Sequence, residues 1–192
     1  MSFDRAVFLD RDGVINRNVF YRDTSAFESP RSIDDLELFP WTAPALRQLS
    51  RHGFALFIVS NQPNHAKGKA SLEALSAIHE RIQAELIQGG VEIVESYYCL
   101  HHPGSLLPAY SVCGCRKPSP FFLLDAARKY TIDLSRSWMI GDRWSDVQCG
   151  LNAGVQTIRV LADAGPIGDE LPKAHFIADD LLHATELILR GK

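Results

Sequence analysis

Ala6-Val7-Phe8-Leu9-Asp10-Arg11-Asp12-Gly13 decides the fold, because four apolar residues run without interruption into two carboxylates and a glycine. A central strand of a parallel sheet is apolar on both faces, so charge enters only where the strand emerges at its carboxyl end. Open α/β sheets bind their ligands at that end. Asp10 and Asp12 share a face if the chain stays extended, and Gly13 lets the backbone turn away sharply. Mg2+ takes one or two carboxylates together with waters and phosphate oxygens, so the pair points to phosphoryl chemistry. An acidic turn at a strand end is the plainer reading of the same residues, and only context separates the two.

The chain has 192 residues, which suits one domain, residues 1–192. An apolar content of 46% is enough to fill a core. A formal net charge of -3 argues against a general binder of the nucleic-acid backbone, which carries a basic face. No apolar run of about 18 residues spans a membrane, and Met1 to Asp4 does not read as a secretion signal. The expectation is a cytoplasmic monomer that meets neither membrane nor nucleic acid. Without a secretion signal, the cluster of Cys99, Cys113 and Cys115, from which Cys149 stands apart, favours metal over disulfide.

Outward from the first strand, Arg17 to Pro40 is long, polar and without sustained periodicity, as expected of a covering flap. A helix follows over Thr42 to His52, stopped by Gly53, and then a strand from Phe54 to Val59 that ends in Ser60-Asn61-Gln62. Ser71 caps a helix carrying Leu72, Leu75, Ile78, Ile82 and Leu86, closed by Gly89-Gly90. Ile93 to Tyr98 is the third strand, and Ser119-Pro120 opens another helix. Ser137 to Ile140 is a strand ending in Gly141-Asp142, followed by a helix over Asp146 to Ala153 and a strand over Gln156 to Val160. The tail offers a strand at His175 to Ala178 and a helix near Leu181 to Leu189. This alternation predicts a layered, mainly parallel α/β sheet.

Successive strand ends or adjoining loops thus supply Asp10 and Asp12, Ser60 with Asn61, Lys117, and Asp142 with Asp146. In the contexts FLDRDGVIN, FIVSNQ, CRKPSP and IGDRWSD, the ordered set resembles the haloacid dehalogenase (HAD) superfamily of phosphatases. The motifs of that superfamily are Asp-x-Asp, a Ser or Thr, a Lys, and Gly-Asp-x-x-x-Asp. The resemblance covers about Ala6 to Val160 and implies a doubly wound, Rossmann-like sheet, with no large cap domain inserted at either usual site. It implies a Mg2+-dependent phosphomonoesterase in which Asp10 is the nucleophile, forming an aspartyl phosphate. Asp12 would be the acid and base, with its backbone carbonyl on Mg2+, and Asp142 would complete the metal site. Ser60, Asn61, Arg116 and Lys117 would bind the substrate and its phosphoryl oxygens, with Asp146 and Arg143 in support.

Cys99-Leu100-His101-His102-Pro103 and Cys113-Gly114-Cys115 form a second constellation. Three thiolates and an imidazole suit a closed tetrahedral Zn2+ site, although the tight Cys-x-Cys spacing also fits free thiols, and chemistry alone does not separate His101 from His102. The pattern resembles the zinc loop of a branch of the superfamily, the heptose bisphosphate and histidinol phosphate phosphatases. That resemblance makes Cys99, His101, Cys113 and Cys115 the ligands and 99–116 a zinc-bound loop that fixes Arg116 and Lys117.

The implied substrate is a small phosphorylated metabolite, as for a D-glycero-D-manno-heptose 1,7-bisphosphate 7-phosphatase, with histidinol phosphate as the rival. Polynucleotide 3'-phosphatase and a zinc-stabilised binding module without catalysis are further alternatives. Arg116, Lys67 and Lys69 suit a second phosphate, whereas Glu28, Asp34 and Asp35 suit an amine. Pro63-Asn64-His65-Ala66-Lys67-Gly68 departs from the heptose relatives, with lysine in place of arginine. Three loops, Asn16 to Pro40, Asn61 to Ala70 and Cys99 to Arg116, are left to roof the pocket.

Overall fold

A computed structural model of the chain describes residues 2–163 and 173–191. In chain order the strands are β1 (Ala6–Leu9), β2 (Val19–Tyr21), β3 (Ala26–Glu28), β4 (Ala55–Asn61), β5 (Glu95–Cys99), β6 (Trp138–Gly141), β7 (Gln156–Val160) and β8 (Phe176–Ala178). The helices are α1 (Thr42–Arg51), α2 (Leu72–Gln88), α3 (Phe121–Tyr130), α4 (Trp144–Ala153) and α5 (Leu181–Arg190).

Six strands form one parallel sheet in the order β5-β4-β1-β6-β7-β8. β1 is fully buried, with Leu9 opposite Ile58 of β4 on one side and Ile140 of β6 on the other. Its alternation feeds two cores. Val7 and Leu9 join Leu46, Ile78, Ile82 and Ile188, which come from α1, α2 and α5. Ala6 and Phe8 join Leu123, Ala126 and Cys149, from α3 and α4. The sheet is therefore covered on both faces, as the near-continuous apolar strands require. In α2 the Ser71 side chain accepts from Ala74 N at 3.1 Å, and the buried face is Leu75, Ile78, Ile82 and Leu86. Each such side chain contributes about 1.5–3 kcal/mol by leaving water, and truncating Ile78 to alanine would cost about 2–5 kcal/mol.

From β1 the chain winds outward to β4 and β5, then returns across β1 to β6 and winds the other way. This reversal opens a crevice beyond the carboxyl ends of β1, β4 and β6, where strand pairing diverges. Loops and strand ends carrying Asp10, Ser60 and Asp142 converge there.

Residues 17–40 differ from the irregular flap expected. β2 and β3 pair antiparallel, with Phe20 opposite Phe27, and a short 3-10 turn follows at Ile33–Asp35. Strands of three residues that pack on no sheet leave little periodicity to read. β4 runs to Asn61, past the expected end at Val59, because Ser60 and Asn61 pair with Tyr98 and Cys99. α4 starts at Trp144, two residues before the expected Asp146, whose carboxylate instead accepts from Arg143 N at 3.0 Å and caps the helix. Among the described residues no helix is long and apolar enough to cross a membrane.

Candidate active site

Asp10 follows β1 directly, and its backbone N donates to Ile140 O of β6 at 2.9 Å, so sheet pairing holds it between two strands. Gly13 has φ of +82°, and a Cβ there would collide with the Asp142 carboxylate. A glycine is thus required twice over, for the turn and for the close approach of the loops after β1 and β6. Gly141 faces the same constraint, since a Cβ would run into the Asp146 side chain.

Carboxylate oxygens of Asp10, Asp142 and Asp146 lie within 4.8 Å of one another, and all three residues are buried. Lys117 Nζ stands 2.9 Å from Asp10 Oδ1, 2.7 Å from Asp146 Oδ1 and 2.6 Å from Val59 O. Burial works against its charge, yet Asp10 and Asp146 hold the ammonium above its ordinary pKa. Asp146 is pushed up to about 6, by burial first and by Asp10 against the pull of Lys117. Asp142 rises well above the carboxylate range through burial and the charges of Asp10 and Asp146, and its Oδ1 is buried without a hydrogen-bond partner among the described residues. An orphaned oxygen beside a second buried carboxylate is the donor set of a hard divalent cation. Asp146 is occupied by Lys117 and by Arg143 N, which leaves Asp10 and Asp142 as the fitting pair.

Asp12 is built differently. It receives Arg11 Nε at 3.0 Å and Asn16 Nδ2 at 2.9 Å on Oδ1, and Arg11 Nη2 at 3.2 Å and Gln62 Nε2 at 2.6 Å on Oδ2. Burial opposes its ionisation, but the Arg11 guanidinium and the amide donors hold it below the ordinary carboxylate range. Arg11 and Gln62 escaped the sequence reading. An arginine between two aspartates looks like solvated charge, yet this one is 1% exposed. Gln62 carried a signal, since two residues beyond Ser60 in extended chain places it on the same side.

A cavity of about 340 Å3 opens over these groups, and Ser60, Lys67, His102 and Arg116 are in its wall. All three loops expected to roof it contribute, the flap through Ala26 to Ser29. Asn61 lines it too, but its amide is engaged with the backbone of Lys117, accepting from N at 3.0 Å and donating to O at 3.1 Å. Arg143 is in the wall, its Nε 3.8 Å from Asp142 Oδ2. Lys69 does not line the cavity; it pairs with Glu28 Oε1 at 2.5 Å, while Arg31 takes Oε2 at 2.9 Å. Burial would raise the Glu28 carboxyl, but these two cations hold it down at about 2. Asp35 is likewise engaged, by Tyr21 Oη at 2.7 Å and Ser32 N at 3.1 Å.

The second cluster joins Cys99, His101, Cys113 and Cys115, with ligand atoms within 4.8 Å of one another. Cys99 Sγ is 3.6 Å from Cys113 Sγ, and His101 Nδ1 is 3.8 Å from Cys99 Sγ and 3.9 Å from Cys115 Sγ. Zn–S bonds of about 2.3 Å at tetrahedral angles put two sulfurs roughly 3.7 Å apart, whereas a disulfide needs about 2.05 Å. The spacing therefore fits a tetrahedral metal. His102 points elsewhere: its Nδ1 accepts from Gly104 N at 2.9 Å and its side belongs to the cavity wall. Arg116 Nη1 donates to His101 O at 3.0 Å, which ties the loop to the cavity.

Comparisons with known proteins place the chain among relatives of the same fold. Residues 114–184 match the family model described as HAD-hyrolase-like. The D-glycero-beta-D-manno-heptose-1,7-bisphosphate 7-phosphatase of Escherichia coli (strain K12) is 36% identical over 180 residues, covering 93% of this chain and 88% of the relative. The enzyme of the same name from Rhodopseudomonas palustris is 39% identical over 155 residues, covering 80% and 82%. The solved D,D-heptose 1,7-bisphosphate phosphatase from B. bronchiseptica, complexed with magnesium and phosphate, superposes with a TM-score of 0.80 at 28% identity, covering 99% of this chain and 100% of that one. The chain belongs to the haloacid dehalogenase superfamily, in the family of the heptose-1,7-bisphosphate 7-phosphatases.

Proposed function

We propose that the chain hydrolyses a sugar bisphosphate, D-glycero-D-manno-heptose 1,7-bisphosphate, at its 7-phosphate through an aspartyl-phosphate intermediate on Asp10. In the first step an Asp10 oxygen attacks phosphorus, the bond from phosphorus to the sugar oxygen breaks, and Asp12, ionised in the free chain and taking up a proton as the anionic substrate enters, supplies that proton to the sugar oxygen. In the second, water attacks the same phosphorus, Asp12 takes its proton, and the phosphate leaves Asp10 as a free carboxylate. Ser60 and Lys117 hold the phosphoryl oxygens throughout. Asp10, Asp142 and the backbone carbonyl of Asp12 would hold Mg2+, which would offset the repulsion between two anionic reactants. Cys99, His101, Cys113 and Cys115 would hold Zn2+, in a structural role. Residues 1–192 act as one domain, a cytoplasmic monomer.

The observation that carries the substrate is the charge of the cavity wall beyond the reacting groups. Lys67 and Arg116 lie there as cations, with the His102 imidazole beside them held below its ordinary pKa by burial and by those two charges, while the carboxylate of Glu28 is already matched by two cations. Such a wall favours a second phosphate over the amine of histidinol phosphate. Phosphate release should be measured across the heptose bisphosphate, the heptose 7-phosphate and histidinol phosphate, with wild type and Lys67→Ala. The expected result is preference for the bisphosphate, with Lys67→Ala raising KM about 10-fold for it and leaving KM for the monophosphate unchanged. Preference for histidinol phosphate would overturn the assignment.

A further inference from the structure

Arg11 and Gln62 form a buried unit that touches the reacting groups without lining the cavity. Arg11 is 1% and Gln62 2% exposed. The guanidinium grips both oxygens of Asp12 and also donates to Gln62 Oε1 at 2.7 Å. The Gln62 amide then uses both of its hydrogens, one on Asp12 Oδ2 at 2.6 Å and the other on Ser60 Oγ at 3.1 Å. Every polar atom of the Gln62 side chain is thereby committed, so the amide cannot flip without breaking several buried hydrogen bonds, each costly to leave unmade. Two consequences follow for neighbours that do face the cavity. Asp12 is confined to one orientation by donors on both oxygens. Ser60 Oγ, because it accepts from Gln62, is left to donate its own proton elsewhere, and it borders the cavity.

We propose that Arg11 and Gln62 are positioning residues for acid-base catalysis, fixing the Asp12 carboxyl against the leaving oxygen and turning the Ser60 hydroxyl toward the phosphoryl group. The inference rests on the reading of Asp12 as the acid. Arg11 crosses from the loop after β1 to the end of β4, so the acid and the phosphate-binding serine are set by one hydrogen-bonded frame rather than by two independent loops. A displacement of such a carboxyl by a fraction of an ångström removes proton transfer to the leaving group before it removes binding.

Leaving-group dependence separates positioning from general structural damage. A sugar alkoxide leaves poorly and needs a proton, whereas p-nitrophenolate leaves without one. The experiment measures leaving-group release in the first turnover, before the second step intervenes, for Gln62→Met, Arg11→Lys and Asp12→Asn, with Mg2+ present. Substrates are heptose 1,7-bisphosphate and p-nitrophenyl phosphate. Both positioning variants should slow release from the bisphosphate by roughly 10- to 100-fold and from the aryl phosphate by less than about 3-fold. Asp12→Asn should show the same asymmetry, more strongly. If Asp12→Asn slows both substrates equally, the acid assignment fails. If Asp12→Asn is asymmetric but either positioning variant slows both substrates equally, or neither, the proposal is overturned for that residue.

Discussion

Lys117 Nζ stands 2.9 Å from Asp10 Oδ1, and Lys117 lies only two residues beyond Cys115 of the thiol cluster, so the cation paired with Asp10 is carried on the loop that a metal would tighten. Lys117 is also the positive charge nearest the centre of three buried carboxylates.

Replacing Lys117 with methionine should therefore harm both stability and chemistry. Removing one partner of a buried ion pair typically costs about 3–5 kcal/mol, because the other charge is left uncompensated. The variant should unfold at lower urea, and turnover should fall by roughly 100-fold or more. Added Mg2+ should raise Tm more in the variant than in the wild type, since a cation replaces part of the missing charge. Equal Mg2+ effects would show that Lys117 does not balance this cluster.

Cys113→Ser should lose metal from the loop and, with it, the placement of Lys117. Elemental analysis should give one zinc per wild-type chain and a fraction of that in the variant. Mild EDTA should stop wild-type turnover reversibly, with Mg2+ restoring it while the zinc stays bound, because a cation held by only a few carboxylates exchanges readily and one held by thiolates does not. Recovery with zinc alone would reverse the roles of the two sites.

The alternating strands and helices were legible because β1, β4 and β6 are apolar throughout and end in polar residues, which a doubly wound sheet requires. The hairpin of β2 and β3 was not, since neither of its faces joins the core: Phe20 and Phe27 are 52% and 66% exposed and meet each other instead, with tilted rings whose centroids are 5.3 Å apart. The motif residues Asp10, Ser60, Lys117 and Asp142 could be found individually, but not what holds them. Arg11 and Gln62 act across 51 positions, and no local spacing announces such a contact. His79 of α2, half-buried, likewise meets Tyr98 Oη at 3.0 Å, a contact across 19 positions. Lys69 was grouped with Lys67 by proximity in sequence, whereas Glu28, 41 positions away, takes it out of the cavity.

Glu28 gives a pH-dependent prediction. Its folded pKa, about 2, is below the ordinary 4.5, so its pairing stabilises the protein above pH 4.5 and is lost as pH falls from there toward 2. The size of the effect is about 1–3 kcal/mol. Glu28→Gln should be less stable than wild type at pH 6 in urea unfolding, and the gap should narrow as the pH falls below 4.5 and close only near pH 2. Hydrogen exchange in β3 should quicken over the same range. A gap independent of pH would mean that the two ion pairs with Lys69 and Arg31 do not anchor the flap.

Covalent capture of phosphate by Asp10 is the central claim, and acid quenching of the Mg2+-loaded enzyme during its first turnover of heptose 1,7-bisphosphate tests it directly. Mass spectrometry of the peptide containing Asp10 should show a phosphoryl adduct on that residue, rising no more slowly than the heptose monophosphate product and absent in Asp10→Asn, which should not turn over. Phosphate released before any adduct forms, an adduct on another residue, or an Asp10→Asn variant with near wild-type turnover would contradict it.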